Sequence, residues 1–224
     1  MIELDGVEYG YDERPVLRGI TATLGERRIG IVGSNGSGKS TLARMLNGLI
    51  VPKRGTVRVD GLDTARDGRA VRRRVGFVFQ NPDVQIVYPT VAEDLAFGLK
   101  PCKLPKAEVT ARVDAVLQRY GLERYRNHPA HLLSGGEKQL LAIAAVLVTD
   151  PAHVVFDEPT TLLDRRNRRH VRSVIDGLAQ SAIVITHDLD LLDGFDRVLV
   201  VEEGRIVADD TPAAAIAAYT ARIG

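Results

Sequence analysis

The segment at residues 33–40 reads GSNGSGKS and has the spacing of a phosphate-binding loop. Its glycines allow the backbone to curl, so that successive N–H groups point at a polyphosphate. Lys39 can then reach the β and γ phosphates, and the Ser40 hydroxyl can ligate Mg²⁺. The segment follows the strand-like run RIGIV and precedes a helical pattern, which is the context such a loop requires. The sequence therefore predicts a site for a nucleoside triphosphate and its metal ion.

Two carboxylates end the strand-like run HVVFDE at residues 153–158. Open α/β sheets bind their ligands at the carboxyl ends of the strands. Asp157 suits Mg²⁺ through a water, and Glu158 is free to polarise an attacking water. A strand with this ending is by itself more often a solvated turn. Placed about 120 residues after a phosphate loop, it is the expected second half of a nucleotide-hydrolysing site.

Three further polar side chains follow strand-like runs. At these positions the sheet would bury a residue that has no functional role. Gln80 ends RVGFVFQ, His187 ends AIVITH, and Asp164 follows PTTLL. Each of them taken singly is explained as a cap or a turn former. Together with the phosphate loop, they can surround a terminal phosphate.

The segment LSGGEKQ at residues 133–139 is a second potential anion site. A serine and two glycines open a helix, and helix N-termini attract anions. The phosphate loop already occupies one side of a triphosphate. A second helix N-terminus is therefore useful only if it closes the other side from elsewhere.

Strand-like runs alternate with helical patterns, which predicts an α/β fold with a parallel sheet. The first 80 residues contain short strands and one helix, from about Lys39 to Asn47. The middle of the chain is predicted to be helical. It contains a capping box formed by Thr90 and Glu93 and a helix that stops at Gly121.

The chain then returns to strands, and it closes with a hairpin, RVLVVEEGRIVAD, and a capped helix that starts at Thr211-Pro212. We expect one domain over residues 1–224. Residues 1–80 and 150–210 form its nucleotide-binding core, 81–149 a helical subdomain, and 211–224 a C-terminal helix.

The composition is that of an ordinary globular protein of 224 residues, with 30 Lys and Arg against 29 Asp and Glu. The net charge of +1 favours neither nucleic acid nor anionic lipid, and two Arg-rich stretches, 66–74 and 165–169, are interpreted as solvated faces. The N-terminus has no signal-peptide pattern, and the single cysteine fits a reducing cytosol. The longest apolar run, 140–148, is less than half of the roughly 20 residues that a membrane span needs.

In the order of these motifs the sequence resembles the ATP-binding cassette (ABC) ATPases along nearly its whole length. GSNGSGKS resembles Walker A, VVFDE Walker B, LSGGEKQ the family signature, and TTLLD the D-loop with Asp164. The resemblance implies a P-loop NTPase core with a mixed sheet, an N-terminal antiparallel β subdomain and an inserted α-helical signature subdomain.

The resemblance also implies roles for individual residues. The implied catalytic residues are Glu158, His187 and the Q-loop glutamine Gln80. Mg²⁺ is held by Ser40, Gln80 and Asp157. ATP is bound by Tyr11, Gly33, Ser34, Asn35, Gly36, Ser37, Gly38, Lys39, Ser40 and Thr41. The signature residues act on the ATP of the opposite subunit in a head-to-tail dimer, and they are Ser134, Gly135, Gly136, Glu137 and Gln139.

The stretch after Gln80 resembles ATPases of energy-coupling-factor (ECF) importers, which take up vitamins and transition-metal ions such as cobalt. It contains Asn81-Pro82-Asp83 and a second glutamine, Gln85. In that group the stretch forms a short extra helix near the docking groove for the coupling subunit. PTTLLDRRN most resembles the ATPase of the biotin importers.

The implied partners are a second ATPase subunit, with a homodimer favoured, a transmembrane coupling subunit and a substrate-binding membrane subunit, but no nucleic acid. The implied location is peripheral, at the cytoplasmic face of the cell membrane.

Departures from the family pattern are few: Thr161 and Leu162 in the D-loop region, and His153 at the start of a strand that is usually aliphatic. The alternatives are the ATPase of another ABC transporter or a non-transport member of the family. A chromosome-type member would carry a long insertion between Lys39 and Ser134, a translation factor would carry two copies of the cassette, and a GTPase would carry an N-K-x-D motif.

Overall fold

The computed structural model describes residues 1–223, and the side chains of residues 1–222. The chain forms two compact units, which we describe separately. The first contains residues 1–77, 152–158 and 179–224, and the second contains residues 78–151 and 159–178. Residues 159–178, which the sequence assigned to the nucleotide-binding core, therefore group with the helical segment.

A four-stranded antiparallel sheet with strand order β2-β1-β4-β5 belongs to the first unit. Buried and exposed side chains alternate over much of β1 and β4, as expected for strands with one solvated face. The strands are β1 (Ile2–Tyr11), β2 (Arg14–Leu24), β4 (Arg54–Val59) and β5 (Leu62–Asp63).

A six-stranded sheet has the strand order β10-β9-β3-β8-β7-β6. β3 pairs in parallel with β8 and β9, and β7 pairs in parallel with β8, whereas β9 and β10 form an antiparallel hairpin. All five residues of β3 are buried, as expected for a central parallel strand. The strands are β3 (Arg28–Val32), β6 (Val75–Val78), β7 (His153–Asp157), β8 (Ser181–Ile185), β9 (Arg197–Glu202) and β10 (Arg205–Asp210). The predicted mixed α/β fold is thus confirmed.

Three α-helices belong to the first unit: α1 (Lys39–Leu46), α2 (Gly68–Arg74) and α7 (Pro212–Ile223). A 3-10 turn covers Leu189–Leu192. The expectation of a single helix in the first 80 residues was wrong, because α2 is a second one. Val71 is the buried residue of α2, which is otherwise rich in exposed arginines, so the segment has no apolar periodicity by which to recognise it.

The second unit is helical, with α3 (Val91–Gly98), α4 (Lys106–Arg119), α5 (Gly135–Leu147) and α6 (Arg165–Asp176). Its 3-10 turns are Pro82–Val84, Lys100–Cys102, Glu123–Tyr125 and Ala130–Leu132. The predicted capping box is present, since Thr90 accepts from the backbone of Glu93 and Glu93 from that of Thr90. α6 ends at Asp176, because Gly177 forms its C-cap.

None of the helices among the described residues is both long enough and apolar enough to span a membrane.

Candidate functional site

Four parallel strands of the first unit end at one edge of the six-stranded sheet. β3 leads into Gly33, β7 ends at Asp157, β8 leads to His187 and β9 ends at Glu202. Residue Gly30 pairs with Val184 on one side and Val198 on the other, so these carboxyl ends are in register. This edge therefore gathers the phosphate loop, the paired carboxylates and the predicted histidine, where open α/β sheets place ligands.

The phosphate loop depends on glycine at its first position. A Cβ at Gly33 would lie 1.9 Å from the carbonyl oxygen of Val201 on β9, and φ is +152°. The Lys39 ammonium donates hydrogen bonds to the carbonyl oxygens of Gly33 (2.7 Å) and Ser34 (2.8 Å). The loop thus curls around its own lysine and packs directly against the neighbouring strand.

Ser40 and Asp157 are joined by a hydrogen bond of 2.9 Å from the serine Oγ to Oδ1 of the aspartate. Burial raises the pKa of Asp157, and the hydrogen bond from Ser40 opposes that shift. A hydroxyl and a carboxylate oxygen in contact are the hard oxygen donors that Mg²⁺ prefers. These two predicted metal ligands lie together.

Lys39 lies within reach of three carboxylates. Burial lowers the pKa of this lysine, whereas the carboxylates of Glu158, Glu202 and Asp157 act to raise it. Three carboxylates thus act on one buried ammonium. Arg44 also acts on Asp157, and the carboxylates of this edge suit a divalent cation that arrives with the nucleotide.

Glu158 and His187 form the second contact at this edge. His187 Nδ1 lies 2.7 Å from Oε2 of Glu158, and the backbone N–H of Glu158 donates to the carbonyl of Ile185 at 2.9 Å. Glu158 has a φ of +54°, in the left-handed region that a glutamate rarely adopts. Its neighbours therefore hold it in an unusual conformation, which is common at functional positions.

Glu202 is a site residue that the sequence reasoning missed. The Ser34 hydroxyl donates a hydrogen bond to its Oε1, and its charge acts on Lys39. The available signal was its place at the end of VLVVE, a parallel strand beside the one that leads into the phosphate loop.

Two buried polar atoms at this edge have no hydrogen-bond partner among the described residues: Ser37 Oγ and Glu202 Oε2. Buried polar atoms are rarely left unpaired. Both belong to residues that form or contact the phosphate loop. This arrangement fits a site completed by a bound polar group.

The other predicted ATP-binding residues also lie in the first unit. Asn35 and Gly36 are exposed at the tip of the loop, whereas Thr41 is buried in α1. Tyr11 ends β1 with 48% of its surface exposed, and its ring packs edge to face on Tyr9 at 5.2 Å. An exposed aromatic face is available for stacking.

The signature lies in the second unit, where Ser134 is the N-cap of α5. Gly135 is exposed, and a Cβ added there would meet nothing within 4 Å. Gly136 is buried, and a Cβ there would lie 2.3 Å from Cγ of Asn167. Asn167 in turn donates from its amide to Asp164, the N-cap of α6. The signature and the predicted D-loop aspartate are therefore connected through Asn167, which the sequence reasoning did not single out.

Gln80 and the signature line one small cavity of the second unit, together with Leu162 and Pro159. Gln139 also lines it, and its buried Nε2 has no hydrogen-bond partner among the described residues. Gln80 belongs to the second unit, so its part in holding Mg²⁺ and in catalysis stays a prediction.

The segment after Gln80 is tied to the signature helix. A 3-10 turn over Pro82–Val84 places Asp83 at 2.7 Å from the ammonium of Lys138. Gln85 donates to the carbonyl of Ala142 at 2.8 Å and accepts from the N–H of Phe79 at 3.1 Å. The short extra helix expected from the sequence is present as this turn.

The family model described as ABC transporter matches residues 17–161. A putative ABC transporter ATP-binding protein of Deinococcus radiodurans is 65% identical, with 100% of this chain and 99% of that protein covered. The biotin transport ATP-binding protein BioM of Rhizobium etli is 51% identical, with coverages of 97% and 96%. The cobalt import ATP-binding protein CbiO of Syntrophus aciditrophicus is 46% identical, with coverages of 95% and 79%.

Two solved structures share the fold. One is cbiO1 of Clostridium perfringens, described as part of the ABC transporter complex cbiONQ, with a TM-score of 0.86, 33% identity, and coverage of 99% of this chain and 93% of that one. The other is a dimeric, post-hydrolysis ATP-binding cassette bound to ADP and phosphate, with a TM-score of 0.81, 27% identity, and coverages of 95% and 99%.

Proposed function

The chain belongs to the ABC transporter family and hydrolyses ATP to power transport, and we propose that it is the ATPase subunit of an ECF-type importer. The observation that carries the catalytic part is the meeting of the phosphate loop, Asp157, Glu158 and His187 at one edge of the sheet. These residues supply phosphate binding, metal binding and water activation in one place.

The phosphate loop binds the triphosphate. Gly33 and the glycines that follow present backbone N–H groups, and Lys39 turns from the loop carbonyls to the β and γ phosphates. Ser40 and Asp157 would hold Mg²⁺, which neutralises charge on the phosphates when bound. Tyr11 stacks on the adenine ring.

Glu158 orients and polarises the attacking water. Its carboxylate accepts a proton as the water oxygen approaches the γ phosphorus, and the β–γ bridging oxygen leaves with ADP. His187 holds the same carboxylate at 2.7 Å and keeps it oriented. A positioned base of this kind contributes on the order of 10² to 10⁴ in rate.

The working unit is a head-to-tail dimer in which each signature meets the ATP of its neighbour, with two identical chains as the simpler arrangement. Leu132 is 63% exposed just before the signature, and Leu162 is 71% exposed just before Asp164. Exposed leucines beside two motifs suit a protein interface. The similarity to a dimeric cassette with ADP and phosphate supports the same arrangement.

The surface for the membrane partner is the segment after Gln80. Val84 is 67% exposed and Val87 is 68% exposed, although both are apolar. Their segment is fixed to α5 through Asp83 and Gln85. A rigid, apolar surface suits a helix of the transmembrane coupling subunit, which would place this chain at the cytoplasmic face of the membrane. The similarity to a component of cbiONQ supports such partners.

The solute that we favour is biotin, because the similarity to BioM, at 51%, covers almost all of both chains. A transition-metal ion such as cobalt is the second candidate, favoured by the similarity to CbiO. Purified complexes reconstituted in vesicles should accumulate labelled biotin when ATP is supplied. Cobalt uptake without biotin uptake would reverse this assignment.

A mixture of two inactive variants tests the dimer. Lys39→Ala removes the phosphate-loop lysine, and Ser134→Arg blocks the signature. A mixed dimer retains one intact site, formed by the loop of the Ser134→Arg chain and the signature of the Lys39→Ala chain. We expect the mixture to hydrolyse ATP while neither variant alone does so. An inactive mixture of folded chains would contradict the site shared across two chains.

Co-expression tests the importer assignment. The chain should co-purify with a coupling subunit from its own genome, and a Val84→Asp, Val87→Asp double variant should lose that partner while it retains nucleotide binding. Failure to bind any coupling subunit of that genome would contradict the ECF assignment.

A further inference from the structure

The carboxylate of Glu137, in the signature, is held at both of its oxygens. Oε2 accepts hydrogen bonds from the backbone N–H of Ser134 at 2.9 Å and from its hydroxyl at 2.7 Å. Oε1 accepts a short hydrogen bond from the hydroxyl of Tyr125. The guanidinium of Arg124 lies 3.6 Å from the same oxygen and 4.6 Å from the centre of the Tyr125 ring. The signature serine is thus connected to Tyr125 through one carboxylate.

The other capping box of the second unit shows that capping alone does not require such a tyrosine. There, Glu93 Oε2 accepts from the Thr90 hydroxyl at 2.7 Å and from the Thr90 N–H at 3.2 Å, nearly as at Ser134. In that box, no phenol among the described residues donates to the glutamate. The hydrogen bond from Tyr125 to the capping-box glutamate is therefore a feature of the signature and not of helix capping in general.

We propose that Tyr125 is a positioning residue for ATP hydrolysis, which holds Glu137 so that Ser134 and the start of α5 meet the γ phosphate of the neighbouring subunit. The inference rests on the dimer proposed above. Ser134 now donates its hydroxyl hydrogen to Glu137, so that hydrogen must turn to the phosphate when the dimer closes. Tyr125 keeps Glu137 in place during this exchange.

The charge of Glu137 gives Tyr125 a second effect. A carboxylate beside a phosphate-binding helix start repels an incoming anion. The hydrogen bond from Tyr125 is the main reason why the pKa of Glu137 lies below its usual value. The hydroxyl of Tyr125 and the guanidinium of Arg124 both lie at Oε1, where they offset part of the carboxylate charge.

The test places Tyr125→Phe in either chain of the mixed dimer described above. In the Lys39→Ala chain, the substitution affects the signature of the one intact site. In the Ser134→Arg chain, it affects only a signature that is already blocked. We expect ATP hydrolysis to fall about tenfold in the first arrangement, which is the effect of losing one hydrogen bond to a charged group. In the second arrangement we expect hydrolysis to stay unchanged.

Both arrangements contain one Tyr125→Phe chain per dimer, so a general loss of stability would lower the two activities equally. An equal loss, or no loss in either, overturns the proposal. If the mixture without Tyr125→Phe is inactive, it is the dimer proposal that fails, which keeps the two outcomes separate.

A second variant tests the route through Glu137. After Glu137→Gln, the substitution Tyr125→Phe should cost little further activity, because the contact that it serves is already altered. Glu93→Gln is the matched control, since it weakens the other capping box and should leave hydrolysis unchanged. Fully additive losses from Tyr125→Phe and Glu137→Gln would show that Tyr125 acts elsewhere.

Discussion

His187 Nδ1 lies 2.7 Å from Oε2 of Glu158, and so joins the ends of the neighbouring strands β7 and β8. The glutamate side chain is 12% exposed, whereas the histidine side chain is 56% exposed. The histidine therefore orients the carboxylate, and the histidine itself is accessible from outside. We propose that this contact holds Glu158 in position to act on a water when ATP occupies the phosphate loop.

Replacement of Glu158 by Gln should separate ATP binding from hydrolysis. The amide retains the size of the side chain but cannot accept the proton, so the rate should fall by about 10² to 10⁴. ATP should then persist and hold two chains together. Size-exclusion chromatography with ATP and Mg²⁺ should show a dimer for the variant. If only monomer elutes while ATP is bound, the proposal that ATP holds two chains together is wrong.

Replacement of Ser40 by Ala should remove one of the two contacting oxygen donors that we propose for Mg²⁺. We expect the benefit of Mg²⁺ for nucleotide affinity to shrink, because the hydroxyl is lost while Lys39 and the loop N–H groups stay. Titration with a fluorescent ATP analogue, in Mg²⁺ and in EDTA, measures this difference. Ser173→Ala, at an exposed position of α6, is the control. An unaltered Mg²⁺ effect in the Ser40 variant would exclude the hydroxyl as a ligand.

The local patterns of the sequence predicted much of this structure. The capping box of Thr90 and Glu93 follows from a threonine and a glutamate three residues later, and the helix of 106–119 ends where Gly121 indicated. The strands before the phosphate loop and the paired carboxylates follow from short apolar runs. Such features depend on neighbours within a few residues, so one sequence is enough to recognise them.

Contacts between distant segments were not predictable in this way. Glu202 reaches Ser34 because β9 lies beside β3, and Asn167 reaches Gly136 because α6 packs near the start of α5. Tyr125 and Glu137 are close only because the turn Glu123–Tyr125 packs against the start of α5. No spacing rule connects these pairs, since their contact is decided by tertiary packing.

Asp60 should make the stability of the chain depend on pH. Hydrogen bonds from the N-terminal amine, His153 and Arg74 lower the pKa of Asp60 to about 2, despite partial burial, which acts to raise it. A lowered folded-state pKa contributes stability above the unfolded value, and that stability is lost as the pH falls toward 2. Asp60→Asn should therefore reduce the free energy of unfolding by about 1 kcal/mol at pH 7, after a discount for solvent screening.

The difference in the free energy of unfolding between Asp60→Asn and the unchanged chain should disappear between pH 4 and pH 2. Urea unfolding at several pH values measures this difference. Asp12→Asn is the matched control, because Asp12 shares the left-handed backbone, with φ of +50° against +49°. No ion pair of the Asp12 side chain is present in the described part of the chain. The ion pair of Asp60 also explains why a histidine stands at position 153, where the strand is usually aliphatic. His153 forms hydrogen bonds with both Asp60 and Ser181. A difference that stays constant with pH would exclude the ionic contribution.

The two signature glycines should respond differently to alanine. A Cβ at Gly136 would meet Asn167 at 2.3 Å, so Gly136→Ala should destabilise the chain by about 1 to 3 kcal/mol through overpacking. Asn167→Ala in the same chain should restore most of that stability. Gly135→Ala meets nothing within 4 Å and should leave thermal unfolding unchanged or slightly improved, since alanine favours the helix.

ATP hydrolysis should nevertheless fall in Gly135→Ala, because in the proposed dimer the phosphate of the neighbouring subunit approaches through the open space over Gly135. Thermal unfolding and ATP hydrolysis, measured on the same preparations, separate the two effects. We expect the loss of hydrolysis to be about tenfold or greater, since the loss of one hydrogen bond to a charged group lowers a rate about tenfold. Such a loss in a stable Gly135→Ala chain would assign the space over Gly135 to the nucleotide. Full activity in this variant would contradict the contact across the dimer, because nothing within its own chain fills the position.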